Sequence, residues 1–251
     1  MHITVDLNCD LGEGAGHDAA LMPFITSANV ACGAHAGNLE TMIETIDCAL
    51  ERGVAVGAHP GFFDLENFGR VERSISPMEA SRLVLLQMEQ CYEIAGPAMK
   101  HVKLHGALYH QVSRDAALAD AVVADLGRLW PDVIVYALAG SVLARLARSR
   151  GLRVAEEVFA DRTYRGDGSL TPRASPGAMI EDPAAGAAQV LRMLREGVVQ
   201  STDGKDVRVK ADTVCVHGDG PKAVAFARRL HRALREAGVA LKSMGDGVAV
   251  A

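Results

Sequence analysis

Short apolar stretches alternate with capped helical stretches seven or eight times along this chain of 251 residues, and that alternation narrows the fold more than any other feature. The strand-like segments are Val5 to Glu13, Phe24 to Cys32, Val54 to Ala58, His101 to His105, Val133 to Leu138, Arg153 to Phe159 and Thr213 to Val216. Between them lie helical pieces with recognisable ends. Asn38 precedes Leu39 to Arg52, and Gly53 closes it; Ser76-Pro-Met-Glu79 is a capping box that launches a helix to about Ala95. Further helices are read at His17 to Met22, from Gly106 to near Trp130, from Ser141 to Arg150, from Pro183 to Gly197 behind Asp182, and from Pro221 to Ala237. Ser201 to Lys210 reads as a hairpin or ornament, and the tail from Val239 as one or two short strands. Strand-helix alternation demands a largely parallel sheet, and no G-x-G-x-x-G follows the first strand. The expected architecture is α/β: an irregular (β/α) barrel of seven or eight parallel strands, a single domain over 1–251 with no linker-like segment.

With 49% hydrophobic and 23% charged residues the composition is that of an ordinary globular protein. A formal charge of -5 and the lack of a Lys/Arg stripe give no footprint for nucleic acid or an anionic membrane. Arg228, Arg229, Arg232 and Arg235 have the spacing of a solvated helix face. No run approaches 18 apolar residues, and the opening Met-His-Ile-Thr-Val-Asp has no leader pattern, so a cytoplasmic protein is expected. Five cysteines without a C-x-x-C pair argue against a disulfide framework and a structural zinc site.

The chemistry concentrates at strand ends. In Val5-Asp-Leu-Asn-Cys-Asp-Leu-Gly-Glu13, strand alternation puts Asp6, Asn8 and Asp10 on one face and Val5, Leu7 and Cys9 on the other, with Gly12 opening a turn and Glu13 reaching back. Asp and Asn are poor strand formers, so a polar row here suits a cleft. His35, His59, His105 and His217 each fall where an apolar strand gives way to glycine, at the carboxyl ends where parallel α/β folds collect catalytic groups. Lys103 shares a face with His105, and a lysine in mid-strand needs a carboxylate, Asp6 or Asp10, or a function. The loop 161–173 carries Arg162, Arg165 and Arg173 and suits a lid or anion clamp, with Arg162 or Arg173 on a substrate carboxylate. There is no P-loop, kinase glycine loop or G-x-S-x-G elbow, and a metal centre stays open.

Seven stretches, Asp-Leu-Asn-Cys-Asp-Leu-Gly-Glu (6–13), Ala-Asn-Val-Ala-Cys-Gly-Ala-His-Ala-Gly (28–37), Gly-Ala-His-Pro-Gly (57–61), Phe-Gly-Arg (68–70), Val-Lys-Leu-His-Gly-Ala-Leu-Tyr (102–109), Glu-Val-Phe-Ala-Asp-Arg-Thr-Tyr (157–164) and Val-His-Gly-Asp (216–219), together closely resemble the LamB/YcsF family, nearly end to end. The resemblance implies a cytoplasmic barrel of glycoside hydrolase/deacetylase type. It implies the A component of a 5-oxoprolinase, opening the lactam of 5-oxo-L-proline to L-glutamate with B and C subunits. ATP is then a co-substrate at a site shared with those partners, and a divalent metal is left undecided. On this reading Asp10 or His59 activates water, and Lys103 and His105 stabilise an oxyanion or phosphate. Asp6, Asn8 and Glu13 orient them, with His35, His217, Arg162 and Arg173 on the substrate side. Two other classes compete: a metal-dependent amidohydrolase or deacetylase working without ATP, and a non-catalytic module that presents the substrate.

Overall fold

The computed structural model describes residues 3–245. Strand β1 (Thr4–Leu11) is buried along almost its whole length, because it pairs on both sides and is covered on its outer face. A short helix α1 (Asp18–Leu21) leads to β2 (Ser27–Ala31), then α2 (Leu39–Glu51), β3 (Ala55–His59), α3 (Pro77–Ala95) and β4 (Met99–Lys103). Two helices, α4 (Gly106–Arg114) and α5 (Ala116–Leu129), precede β5 (Ile134–Leu138), α6 (Val142–Ser149), β6 (Arg153–Phe159) and α7 (Pro183–Glu196). A small antiparallel ribbon, β7 (Val198–Gln200) with β8 (Asp206–Arg208), interrupts the pattern before β9 (Thr213–His217), α8 (Ala223–Glu236) and β10 (Ala240–Leu241).

The strands run in the order β1, β2, β3, β4, β5, β6, β9, and β9 returns to β1, so seven parallel strands close a barrel. β10 joins the start of β1 beside Thr4 and Val5 without entering the closure. A second tail strand would fall beyond residue 245, outside the described residues. No described helix is long and apolar enough to cross a membrane.

The capping signals act as read. Asn38 Oδ1 accepts from the Thr41 amide and Ser76 Oγ from the Glu79 amide, each in a reciprocal capping box. The expected single helix from Gly106 to Trp130 is instead two. The Asp115 side chain accepts from the amides of Ala117 and Leu118, so a second helix starts there. The expected ornament near 201–210 is the β7–β8 ribbon and its turn.

Strand alternation sorts the side chains. Leu7, Cys9, Val30, Val56, Val102, Val135, Val158 and Val214 point outward into the layer between strands and helices, all in one buried cluster. Each buried Leu or Val contributes about 1.5–3 kcal/mol. The inward row is different: Asp6, Asn8, Asp10, Ser27, Asn29, His101, Lys103, Glu157 and Thr213 are all buried, with a small apolar cluster of Ile134, Tyr136 and Ala155 among them. Barrels of this kind are ordinarily filled by branched apolar residues. Here a continuous hydrogen-bonded network fills the interior, because buried polar groups are tolerable only when they are mutually satisfied.

Candidate active site

At the floor of the barrel, Asp6 accepts from Thr26 Oγ1 at 2.6 Å, Ser27 Oγ at 2.7 Å and Thr213 Oγ1 at 2.5 Å. Burial raises its pKa despite those donors. One layer up, Asn8 Nδ2 donates to Thr213 Oγ1 at 2.7 Å and Glu157 Oε1 at 3.0 Å, and its Oδ1 receives Asn29 Nδ2 at 2.7 Å. Asp6 and Asn8 therefore lie beneath the cavity and do not line it. Asn8 touches the layer above through Glu157 and Lys103.

That layer is centred on Lys103, of which 2% is exposed. Its ammonium donates to Asp10 Oδ1 at 2.7 Å and Cys215 Sγ at 3.0 Å, and Glu157 Oε1 lies 3.0 Å away. The sequence left its partner between Asp6 and Asp10; the structure gives Asp10, and adds Glu157. Burial opposes the charge on Lys103, but Asp10 and Glu157 outweigh it and hold its pKa well above the usual lysine value. Burial also opposes the charge on Asp10, and His59 with Lys103 overrides that to hold it well below the carboxylate range. The pair is an ion pair with no bulk water to screen it. Tyr109 donates to Glu157 Oε2 at 2.8 Å, and Cys215 is kept a neutral thiol by burial.

His101 is inside the same network. Its Nε2–H donates to Asn29 Oδ1 at 2.8 Å, its ring stacks on Tyr136, and its Nδ1 has no partner. A second proton would place an N–H where nothing accepts it. Burial first, then the charges of Lys103 and His59, lowers its pKa to about 3. The unfolded chain takes up that proton below about pH 6.5 and the folded chain does not, so stability falls as pH drops through this window. By pH 5 the loss from this one side chain is about 2 kcal/mol. Denaturant midpoints of the unmodified chain and of His101→Gln, compared at pH 7.5 and 5, check this: the variant is expected to show the shallower decline, and equal slopes would contradict it.

Above this layer a cavity of about 200 Å³ opens at the carboxyl ends of the strands, lined among others by Asp10, His59, Lys103, His105, Arg162 and His217. His35 is fully buried behind it, its ring stacked on His105 at 3.7 Å and its Nε2 3.1 Å from Glu13 Oε1. His217 pairs with Asp161 at 2.8 Å. Burial pushes Asp161 up, but the His217 contacts and the charge of Arg173 leave its pKa lowered overall. Residues 160–181 fold over the mouth, tied by bridges between Arg162 and Met179 and between Tyr164 and Leu170. Arg162 is 3% exposed; its Nη2 donates to the Thr171 carbonyl at 2.6 Å and its Nε has no partner. Arg173 lies at the rim, 3.5 Å from Asp219, which also pairs with Arg70.

Among the described residues, two groups have metal-ligand character: Glu13 with His35, His59 and His105, and Asp10 with Cys215 and His217. The second is already occupied by a cation, since the Lys103 ammonium touches both Asp10 and Cys215.

Sequence reasoning passed over Glu157, Asp161, Asp219, Arg70 and His101. Glu157 had a signal. In Arg153-Val-Ala-Glu-Glu-Val-Phe159 consecutive glutamates must face opposite ways, and Glu156 goes outward to Arg148 while Glu157 points in. His101 shares its strand face with Lys103, as two-residue spacing requires.

The fold is a closed parallel α/β barrel with a buried lysine–carboxylate pair and histidines at the carboxyl ends of its strands. A deacetylase, T48, shares the fold at a TM-score of 0.52 and 14% identity, covering 96% of this chain and 87% of its own. The chain belongs to the LamB/YcsF family, whose sequence profile matches residues 5–248. It is 49% identical over 251 residues to the A component of 5-oxoprolinase from Bordetella pertussis, covering 97% of this chain and 100% of that protein. Its fold matches the crystal structure of the lactam utilization protein from Thermus thermophilus at a TM-score of 0.88 and 42% identity, covering 96% and 100% of the two chains.

Proposed function

We propose that this chain is the lactam-opening subunit of an ATP-dependent 5-oxoprolinase, converting 5-oxo-L-proline to L-glutamate with separate B and C subunits in the cytoplasm. The observation that carries the reading is Arg162, a guanidinium almost wholly buried in the cavity wall with no carboxylate in ion-pair reach among the described residues. A buried cation without a counter-ion is costly, so it calls for an anionic ligand. Oxoproline brings one carboxylate and one lactam, and the cavity offers Arg162 with Arg173 for the first and Lys103 for the second.

A five-membered lactam is a stable amide, and its carbonyl oxygen must take negative charge when water adds. Lys103, fixed by Asp10 and Glu157, presents a positive charge that needs no reorganisation as that charge develops. Asp10 Oδ2, 3.4 Å from His59 Nε2 and facing the cavity, is the acceptor that orients the attacking water. Phosphorylation of the lactam oxygen by ATP releases ADP and activates the ring carbon; water adds there, the C–N bond breaks as the nitrogen takes a proton, and the γ-glutamyl phosphate so formed is hydrolysed to L-glutamate and phosphate. The chain carries no glycine-rich phosphate loop, so ATP handling falls to a site shared with the partners.

Arg162→Gln tests the substrate assignment. It should raise KM for oxoproline by about 10- to 100-fold with a smaller change in kcat, as expected for losing a charged hydrogen bond of about 1.5–3 kcal/mol. An unchanged KM would remove Arg162 from the substrate site. Oxoproline turnover by the isolated chain without ATP would instead favour the amidohydrolase reading.

A further inference from the structure

Beside the Lys103 centre, three side-chain atoms converge that are all acceptors when both imidazoles are neutral. His59 Nδ1 lies 2.8 Å from the Lys103 carbonyl oxygen. A carbonyl only accepts, so His59 carries a proton on Nδ1, and in the neutral ring its lone pair is on Nε2. His105 Nε2 lies 2.9 Å from the Phe68 carbonyl, so its proton is there and its lone pair is on Nδ1. The two lone pairs face one another at 3.0 Å. Glu13 Oε1 stands 3.4 Å from His105 Nδ1 and 3.9 Å from His59 Nε2. Lone pairs so placed repel, and only a positive centre among them makes the arrangement favourable.

Charge points the same way. Asp10, Glu13 and Glu157 are all buried or nearly so within this network, and among the described residues Lys103 is the one ammonium with them, so carboxylates outnumber it. We infer that Glu13 Oε1, His59 Nε2 and His105 Nδ1 are the three protein ligands of one divalent transition-metal ion, Zn²⁺ or a chemical neighbour, with the open position toward the cavity. Donors around a tetrahedral ion with bonds of about 2.0–2.1 Å stand about 3.3 Å apart, within the observed span of 3.0–3.9 Å.

The outer contacts are those a metal site needs. Each ligating imidazole donates its other N–H to a backbone carbonyl, which fixes tautomer and orientation. Phe68, the one non-glycine residue with a positive φ (55°) among the described residues, holds a strained backbone and supplies one of those carbonyls. His35 bonds Glu13 from behind. Its ring lies parallel to that of His105, within 4°, so no single ion can lie in both ring planes, and His35 is a supporting residue instead of a fourth ligand. The competing solution is protonation of Glu13, which burial and the charge of Asp10 favour. One such proton satisfies one nitrogen, and a second, on His59 Nε2 beside Asp10 Oδ2 at 3.4 Å, is needed to relieve the 3.0 Å contact between nitrogens, whereas one metal ion satisfies all three acceptors at once. A bound ion would give the cavity a Lewis acid beside Lys103.

The readout is metal content, so the test is independent of whether the cavity takes oxoproline. The full chain, stripped with a chelator, is titrated with Zn²⁺ and Co²⁺. Expected are one equivalent bound, visible cobalt absorption, and a rise in Tm of about 5–10 °C at metal about 100-fold above Kd. His59→Ala and His105→Ala should lose that equivalent, while His231→Gln, remote against the Phe24 carbonyl, should keep it. Should the alanine variants fail to fold, the melts of the unmodified chain with and without metal decide alone. No cobalt absorption and an unchanged Tm would overturn the inference in favour of the proton, and so would equal binding by His105→Ala.

Discussion

Lys103→Met should give the largest loss of any single substitution in this chain. The side chain is similar in length and apolar, so the barrel keeps its shape, yet Asp10 and Glu157 are left facing each other with no cation between them. Breaking one partner out of a buried ion pair costs about 3–5 kcal/mol, because the remaining charge stays buried. For a chain of this size that lowers Tm by roughly 6–20 °C. Turnover of the assembled enzyme should fall further than the folded fraction does, by about 10²- to 10³-fold at a temperature where the variant is fully native, since the positive charge at the developing oxyanion is gone. Thermal melts and oxoproline turnover on the same preparation separate the two effects. A variant that melts normally, or turns over normally when native, contradicts the central placement of Lys103.

Asp10→Asn should come second. It keeps the volume and removes the charge that Lys103 Nζ holds at 2.7 Å and that lies 3.4 Å from His59 Nε2. Water orientation is lost with the carboxylate, and kcat should drop about 10²-fold. The pH dependence supplies a sign. Asp10 has a depressed folded-state pKa, so its contribution to stability is fully present above the ordinary aspartate pKa of 3.8 and is lost as pH falls through the lower folded value. The unmodified chain should therefore lose stability on acidification at low pH more steeply than Asp10→Asn. Denaturant unfolding from about pH 5 to 2 reads this directly, and parallel curves would mean the carboxylate is not held by its neighbours as described.

The barrel was readable because its evidence is local and repeated: caps at Asn38, Ser76 and Asp182, and apolar runs of strand length between them. Closure of β9 onto β1 was not, since which strands meet is a matter of non-local pairing. The strand-end histidines and the polar row of β1 were also legible, because a polar residue in an otherwise apolar strand has to be explained. Depth along that row was not. Asp6, Asn8 and Asp10 alternate identically in sequence, yet only Asp10 reaches the cavity, because register against β2 and β9 sets the height of each. The same limit hid the pairing of Lys103 with Glu157, which sit far apart in sequence on strands separated by β5. The tautomers of His59 and His105 depend on backbone carbonyls that only the folded chain brings near.

The most direct measurement is release of L-glutamate from 5-oxo-L-proline by the purified chain, assayed alone, with ATP, and with ATP together with candidate B and C partner proteins. Turnover that requires ATP and the partners, and that disappears with Lys103→Met, is the expected result. Turnover that persists with Lys103→Met in the complete system, or that the isolated chain carries out without ATP, would contradict it.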